Sequence, residues 1–296
     1  MGGERSEPPH PTILPTPDPS LAREGKVSTD WLTVVRGDAP LIVSVPHAGT
    51  HIPADIAAGL VSTALGEHDA DLYVDRLYAF ATDLGATVIR TAISRTAIDM
   101  NRDPSGASLY PGQATTGFCP IETFDGEALY KPGHEPDDAE IARRHDRYFA
   151  PYHAAIAGEI ERLRSHHPRI VLYDAHSIRS HVSRLFDGEL PQFNIGTNSG
   201  ISCDPALAAA VEAVCDISGH SRVTNGRFKG GWITRHYGQP ESGVHAIQME
   251  LAMRGYLDEA APWPPAWDAI RAQPMQHILE QVLGACMDFA THNPPP

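Results

Sequence analysis

Cysteine, long apolar runs and positive charge are all scarce in this 296-residue chain, and each scarcity excludes something. The four cysteines, Cys119, Cys203, Cys215 and Cys286, are scattered, with no C-x-x-C pair to open a zinc ribbon or a redox centre. They read as buried free thiols in a reducing compartment, and a cytoplasmic location is expected. No run of about eighteen apolar residues occurs and no apolar stretch follows a basic start in residues 1–30, so neither a membrane span nor export is expected. The 23 Lys and Arg residues stand against 37 Asp and Glu, a net of −14 that repels nucleic-acid phosphates and anionic lipid. Also absent are G-x-G-x-x-G, the P-loop, G-x-S-x-G and H-E-x-x-H. Nucleotide binding, the nucleophile elbow and the zincin helix therefore have no support.

What is present suits a globular enzyme. Hydrophobic residues make up 42% and charged residues 20%, and a chain of this length buries a core without disulfide staples. Pro8, Pro9, Pro11, Pro15, Pro17 and Pro19 crowd the start among small and charged residues, a composition too poor in apolar surface to offset its ordering entropy. Residues 1–28 are expected to be a disordered tail and Pro294–Pro296 another, leaving 29–292 as a single catalytic domain without linker or repeat.

Short apolar runs alternate with helical patterns, which predicts an α/β layer architecture. Leu41–Val45, Ala86–Ser94, Ile170–Tyr173 and Val244–Leu251 read as strands. Residues 71–84 place Val74, Leu77, Ala81 and Leu84 on one helical face, with Gly85 as the stop. A long helix is predicted over 138–166 with a kink at Pro151, another over 205–216 after the N-cap Asp204, and a last over 268–290.

Two strands end alike. Leu41–Val45 runs into Pro46-His47-Ala48-Gly49, and Ile170–Tyr173 into Asp174-Ala175-His176-Ser177. Ligands of α/β sheets bind beyond the carboxyl ends of the strands, so two imidazoles delivered there can converge on a metal. Asp174 lies two residues before His176 and can orient it. The bland alternative is that each histidine caps its strand. For a third ligand, Glu67, His68, Asp69, Asp71 and Asp75 compete, because carboxylates before a helix also serve as N-caps. Glu250 is a charged residue in an apolar strand, where a buried carboxylate needs either a task or a partner such as Arg254. Despite the acidic balance, Arg95, Arg102, Arg179, Arg184, Arg222, Arg227, Lys229 and Arg235 gather near the strand ends with Asn101. Guanidinium groups grip carboxylates bidentately, so such a pocket suits a small dicarboxylate. For Arg184, Arg222 and Arg235 simple surface charge is the better reading.

Six separated segments then carry a family resemblance: Pro46–Thr50, Asp71 ahead of Arg76-Leu77-Tyr78, Ser94-Arg95 with Asn101-Arg102, Asp174–Ser180, Asn225–Gly231, and Thr234–Gly238 through Glu250. In this order, over roughly 31–290, the chain resembles the N-formylglutamate amidohydrolases. That resemblance implies a zinc carboxypeptidase-like fold, a mixed sheet between helices. It implies one zinc ion per chain, held by His47, Asp71 and His176, with Glu250 as general base. It further implies that Asn101, Arg102, Arg179, Arg95, Arg227 and Lys229 meet a small anionic N-formyl amino acid, whose amide is hydrolysed to formate and L-glutamate in histidine degradation. One departure is that Leu72 and Tyr73 follow Asp71 where the family often has Trp; Asp69 stays in reserve as ligand. No nucleic-acid or membrane partner is expected, and the sequence fixes no oligomeric state.

Overall fold

A computed structural model describes residues 26–109 and 111–292. In chain order it contains β1 (Lys26–Ser28), β2 (Leu32–Val35), β3 (Leu41–Val45), α1 (Ala54–Ala57), α2 (Thr63–Gly66), α3 (Val74–Leu77), β4 (Thr87–Thr91), α4 (Asp138–Arg144), α5 (Ala150–Arg164), β5 (Ile170–Ile178), β6 (Phe193–Gly196), α6 (Pro205–Ile217), β7 (Arg222–Thr224), α7 (Trp232–Tyr237), β8 (Val244–Ala252) and α8 (Ala269–Thr291). The strands form one eight-stranded sheet in the order β1-β2-β4-β3-β5-β8-β6-β7. It is mixed: β4, β3, β5 and β8 run parallel, whereas β2 is antiparallel to β4 and β6 to β8.

Strands β3, β5 and β8 are buried along their whole length, as central parallel strands covered on both faces must be. One face packs Val171, Tyr173, Ile247 and Met249 against α6 and α8 through Leu207, Val211, Leu279 and Leu283. On the other face Ile170, Leu172, Val244 and Ala246 meet Tyr152 and Ile156 of α5 and Ile233 of α7. Along this second face the side chains change character. Beyond Leu172 and Ala246 the same alternation delivers Asp174 and His176 on β5 and Gln248 and Glu250 on β8, paired in register as Asp174 with Gln248 and His176 with Glu250. The sheet thus has an apolar half that packs and a polar half, at its carboxyl edge, that forms a site.

Several expectations change in detail. Lys26–Ser28, assigned to the tail, pair with β2; residues 1–25 and Pro294–Pro296 lie outside the described residues. The helix expected over 71–84 is one α turn, Val74–Leu77, followed by the 3₁₀ turn Ala79–Thr82, because Tyr73 at φ 60° interrupts a helix running on from Asp71. The kink at Pro151 takes the form of a π-turn over His145–Phe149, which absorbs the break before proline removes its N–H from the ladder. The strand ending at Tyr173 continues to Ile178, so His176 is a strand residue. All four cysteines are buried and free. Among the described residues, no helix is long and apolar enough to cross a membrane.

Candidate active site

Three buried side chains meet at the carboxyl edge: His47 just past β3, Asp71 ahead of α3, and His176 within β5. One ligand atom from each lies within 4.8 Å of the others. The backbone ties two of them together, since the Asp71 N–H donates to the His47 carbonyl at 3.0 Å. Asp71 Oδ2 lies 3.0 Å from His176 Nδ1 and 3.7 Å from His47 Nδ1. Ligand atoms around a tetrahedral zinc are roughly 3.3 Å apart for bonds of about 2.0–2.1 Å, a spacing that these two distances bracket. Among the described residues, His47 Nδ1 is also a buried atom with no hydrogen-bond partner. A neutral imidazole nitrogen aimed at a carboxylate and a second imidazole, with nothing else to bind, fits a metal ligand.

Each histidine is oriented from behind. His47 Nε2 lies 2.7 Å from Asp99 Oδ1, and His176 Nε2 lies 2.8 Å from Asp174 Oδ2. Both Nδ1 atoms therefore face the common centre, the arrangement in which a carboxylate fixes ring and tautomer of a metal-binding histidine. Close packing permits the approach. A Cβ on Gly49 would lie 2.3 Å from the Ala92 backbone, so the turn after His47 requires glycine.

The charges are strongly coupled to burial. Desolvation alone would lower His176, but the charges and hydrogen bonds of Asp174 and Asp71 outweigh it and hold the ring well above its usual 6.5. Burial and the Arg95 charge lower His47, against the opposing pull of Asp99 and Asp71. Burial opposes ionisation of Asp99, yet Arg102, His47 and Arg95 hold it well below the carboxylate range. Glu250 is pushed up to about 8, chiefly by burial. Its carboxylate has one hydrogen-bond partner among the described residues, Gln248 Nε2 at 3.3 Å. Arg254, the salt-bridge alternative, instead bonds Ser180 Oγ and lies 3.6 Å from Glu189.

The cleft over this centre is lined by Arg95, Arg102 and Arg227 together with Glu250, and by Phe124, Ile178, Leu185 and Phe228 as an apolar wall. Three guanidinium groups thus gather in a chain of net charge −14, with Arg95 and Arg102 lying against the buried carboxylate of Asp99.

A model of the N-formylglutamate amidohydrolase family matches residues 39–257. The chain belongs to this family. An N-formylglutamate deformylase of Pseudomonas aeruginosa is 49% identical over 253 residues, spanning 85% of this chain and 94% of that protein. One from Pseudomonas putida is 46% identical over 257 residues, spanning 86% and 95%. The crystal structure of N-formylglutamate amidohydrolase from Ralstonia eutropha JMP134 shares the fold at TM-score 0.73 and 22% identity, covering 88% of this chain and 99% of that one.

In this N-formylglutamate amidohydrolase family member the expected site residues divide into three groups. His47, Asp71, His176 and Glu250 converge, and Asp174 stands behind His176. Of the rival third ligands, Glu67 is exposed, and His68 lies 3.4 Å from Asp69 and packs on Trp263. Asp69 accepts the Phe124 N–H at 2.6 Å, and Asp75 pairs with Arg90. Arg95, Arg102 and Arg227 line the cleft. Asn101 does too, but its amide is committed to Asp174, His176 and the Ile233 N–H, so it knits the site rather than presenting a free group.

Arg179, expected at the substrate, is placed elsewhere. It bridges Asp69 at 3.3 Å and Asp125 at 2.7 Å, and neither it nor Lys229 lines the cleft. The strand's alternation explains this: Ile178 shares the face of His176, so the following residue leaves it. Arg184 pairs with Glu122 and Arg222 with Asp216, both as surface charge. The sequence reading missed Asp99 and Gln248. Gln248 had a signal, since a second polar residue two places before Glu250 in an apolar strand must share its face; Asp99, in a loop, had none.

Proposed function

We propose that this protein hydrolyses the formyl amide of N-formyl-L-glutamate, releasing formate and L-glutamate, at one zinc ion held by His47, Asp71 and His176. The observation that carries the metal is His47 Nδ1, which faces Asp71 and His176 and has no hydrogen-bond partner among the described residues. The names of the two Pseudomonas relatives support the substrate, and Arg102 and Arg227 in the cleft suit its two carboxylates. The same reading puts the reaction at the end of a histidine-degradation route, as the family resemblance of the sequence implies, and in the cytoplasm, where four buried free thiols stay reduced.

A bound zinc ion supplies a Lewis acid, lowers the pKa of a water toward about 7 and favours the ionised form of nearby carboxylates. The protein supplies the rest. Arg102 and Arg227 hold the substrate carboxylates and so fix the amide over the centre. Glu250 takes a proton from the attacking water as the new C–O bond forms. It then returns that proton to the glutamate nitrogen as the C–N bond breaks. Arg95, clamped by Asp71 and Asp99, is the guanidinium assigned to the developing oxyanion. The apolar wall of Phe124, Ile178, Leu185 and Phe228 limits water around the reacting carbon.

The test is formate release from N-formyl-L-glutamate by purified protein, before and after chelation and after zinc is restored. Release that chelation abolishes and zinc restores supports both parts of the proposal. Turnover untouched by complete removal of metal would overturn the metal assignment, and no formate from the metal-loaded protein would overturn the substrate.

A further inference from the structure

Glu250 sits at the carboxyl edge of β8, and among the described residues its carboxylate is reached by one hydrogen bond, from its own strand. The donor is the amide of Gln248, two residues earlier and on the same face. An amide side chain has two ends, and which end faces the carboxylate decides whether the contact attracts or repels. Here the orientation is dictated from outside. Gln248 Oε1 accepts the Gly231 N–H at 2.7 Å, with Asn101 Nδ2 behind it at 3.5 Å. A backbone N–H can only donate, so the oxygen must face Gly231 and the NH₂ group must face Glu250.

Gly231 is held in turn. A Cβ there would lie 2.4 Å from the Asn101 side chain, so no other residue brings this N–H so close. Gly231 is also the N-cap of α7, and Asn101 Oδ1 accepts the Ile233 N–H of the same helix at 2.7 Å. The start of α7, the Asn101 loop and β8 thus converge on one amide, and its free donor points at the carboxylate.

We infer that Gln248 is a positioning residue for the reaction, its amide locked by Gly231 so that its NH₂ group aims one carboxylate oxygen of Glu250 and leaves the other for the attacking water. This rests on the reading of Glu250 as general base. Gln248 lines the cleft beside Glu250, and among the described residues its amide bonds Gly231, Asn101 and Glu250 and none of His47, Asp71 and His176. Its effect belongs to turnover, because a base that swings out of line slows proton transfer without weakening the grip of the arginines on substrate.

A double-mutant cycle on the full-length, zinc-loaded enzyme tests this. Gln248→Met, close in volume and lacking both polar ends, should lower kcat about 10- to 100-fold, with KM within threefold and zinc content unchanged. In a Glu250→Gln background the same substitution should change kcat by less than about twofold, since the group it positions is gone. A loss as large in that background as in the wild type would make Gln248 a structural residue and overturn the inference, leaving Glu250 in its role. Wild-type kcat in Gln248→Met would overturn it as well. If Glu250→Gln itself turned over normally, the reading of Glu250 would fail first, and the cycle separates that failure from the other. Should Gln248→Met not melt cooperatively or bind zinc, Gln248→Leu repeats the cycle; failure of both to fold assigns Gln248 to the core and withdraws the inference.

Discussion

His176 and Glu250 are register partners on the adjacent parallel strands β5 and β8. Because register fixes their side chains on one face, the proposed metal donor and the proposed proton acceptor are set by the rigid centre of the sheet, not by loops. Substituting Glu250→Gln should therefore leave zinc bound at wild-type stoichiometry while kcat falls about 10²-fold or more. Metal analysis beside steady-state kinetics checks it; loss of zinc together with activity would mean that Glu250 is a ligand.

Asp99 stands behind His47 as Asp174 stands behind His176. Asp99→Asn should weaken zinc affinity about 10- to 100-fold, measured by competition with a chromophoric chelator, with little change in fold because the amide keeps the shape. An affinity equal to wild type would mean that the loop backbone alone orients His47.

Metal binding should be steeply pH-dependent. His176 is held well above 6.5 by Asp174 and Asp71 in the metal-free protein, so it carries a proton at neutral pH that zinc must displace. In sign, this proton stabilises the metal-free fold fully below 6.5, and that contribution is lost as pH rises through the raised value. Zinc affinity should accordingly fall by up to about tenfold per unit as pH is lowered below that value, with proton release on binding. Calorimetry in buffers of different ionisation enthalpy reads the released proton directly; none released at pH 7 would place His176 neutral.

The arginines should separate by kinetics. Arg102→Ala and Arg227→Ala should each raise KM about tenfold or more, as expected for a lost charged contact. Arg179→Ala should leave KM within about threefold, because its guanidinium is engaged by Asp69 and Asp125. A large KM effect at Arg179 would show that this ion pair opens when substrate arrives.

The parts of this molecule legible in the sequence are those governed by burial. The runs at 41–45, 170–173 and 244–251 could only be covered strands, and the histidines following two of them marked the site edge. What spacing could not decide was Asp71 against Asp69 and Asp75, since all three precede or open a helical turn and differ only in tertiary partners. Strands β2, β6 and β7 went unread because each has only three or four residues and takes its conformation from a neighbour. Arg179, close to His176 in sequence, follows Ile178 off the cleft face and pairs with Asp69 and Asp125, which motif proximity does not reveal. Asp99 acts through a loop fold that no periodicity encodes.

The order of strands also dictates when the site can exist. Between β3 and β5 the chain must lay down β4, α4 and α5, and between β5 and β8 the whole β6–α6–β7 unit. Among the strand pairings of the sheet, β3 with β5 and β5 with β8 close the longest segments of chain, and such closures carry the larger loop entropy. His47, His176 and Glu250 become neighbours only where both pairings are formed. The proposed three-donor site is thus a property of the paired sheet and not of any one segment of the chain.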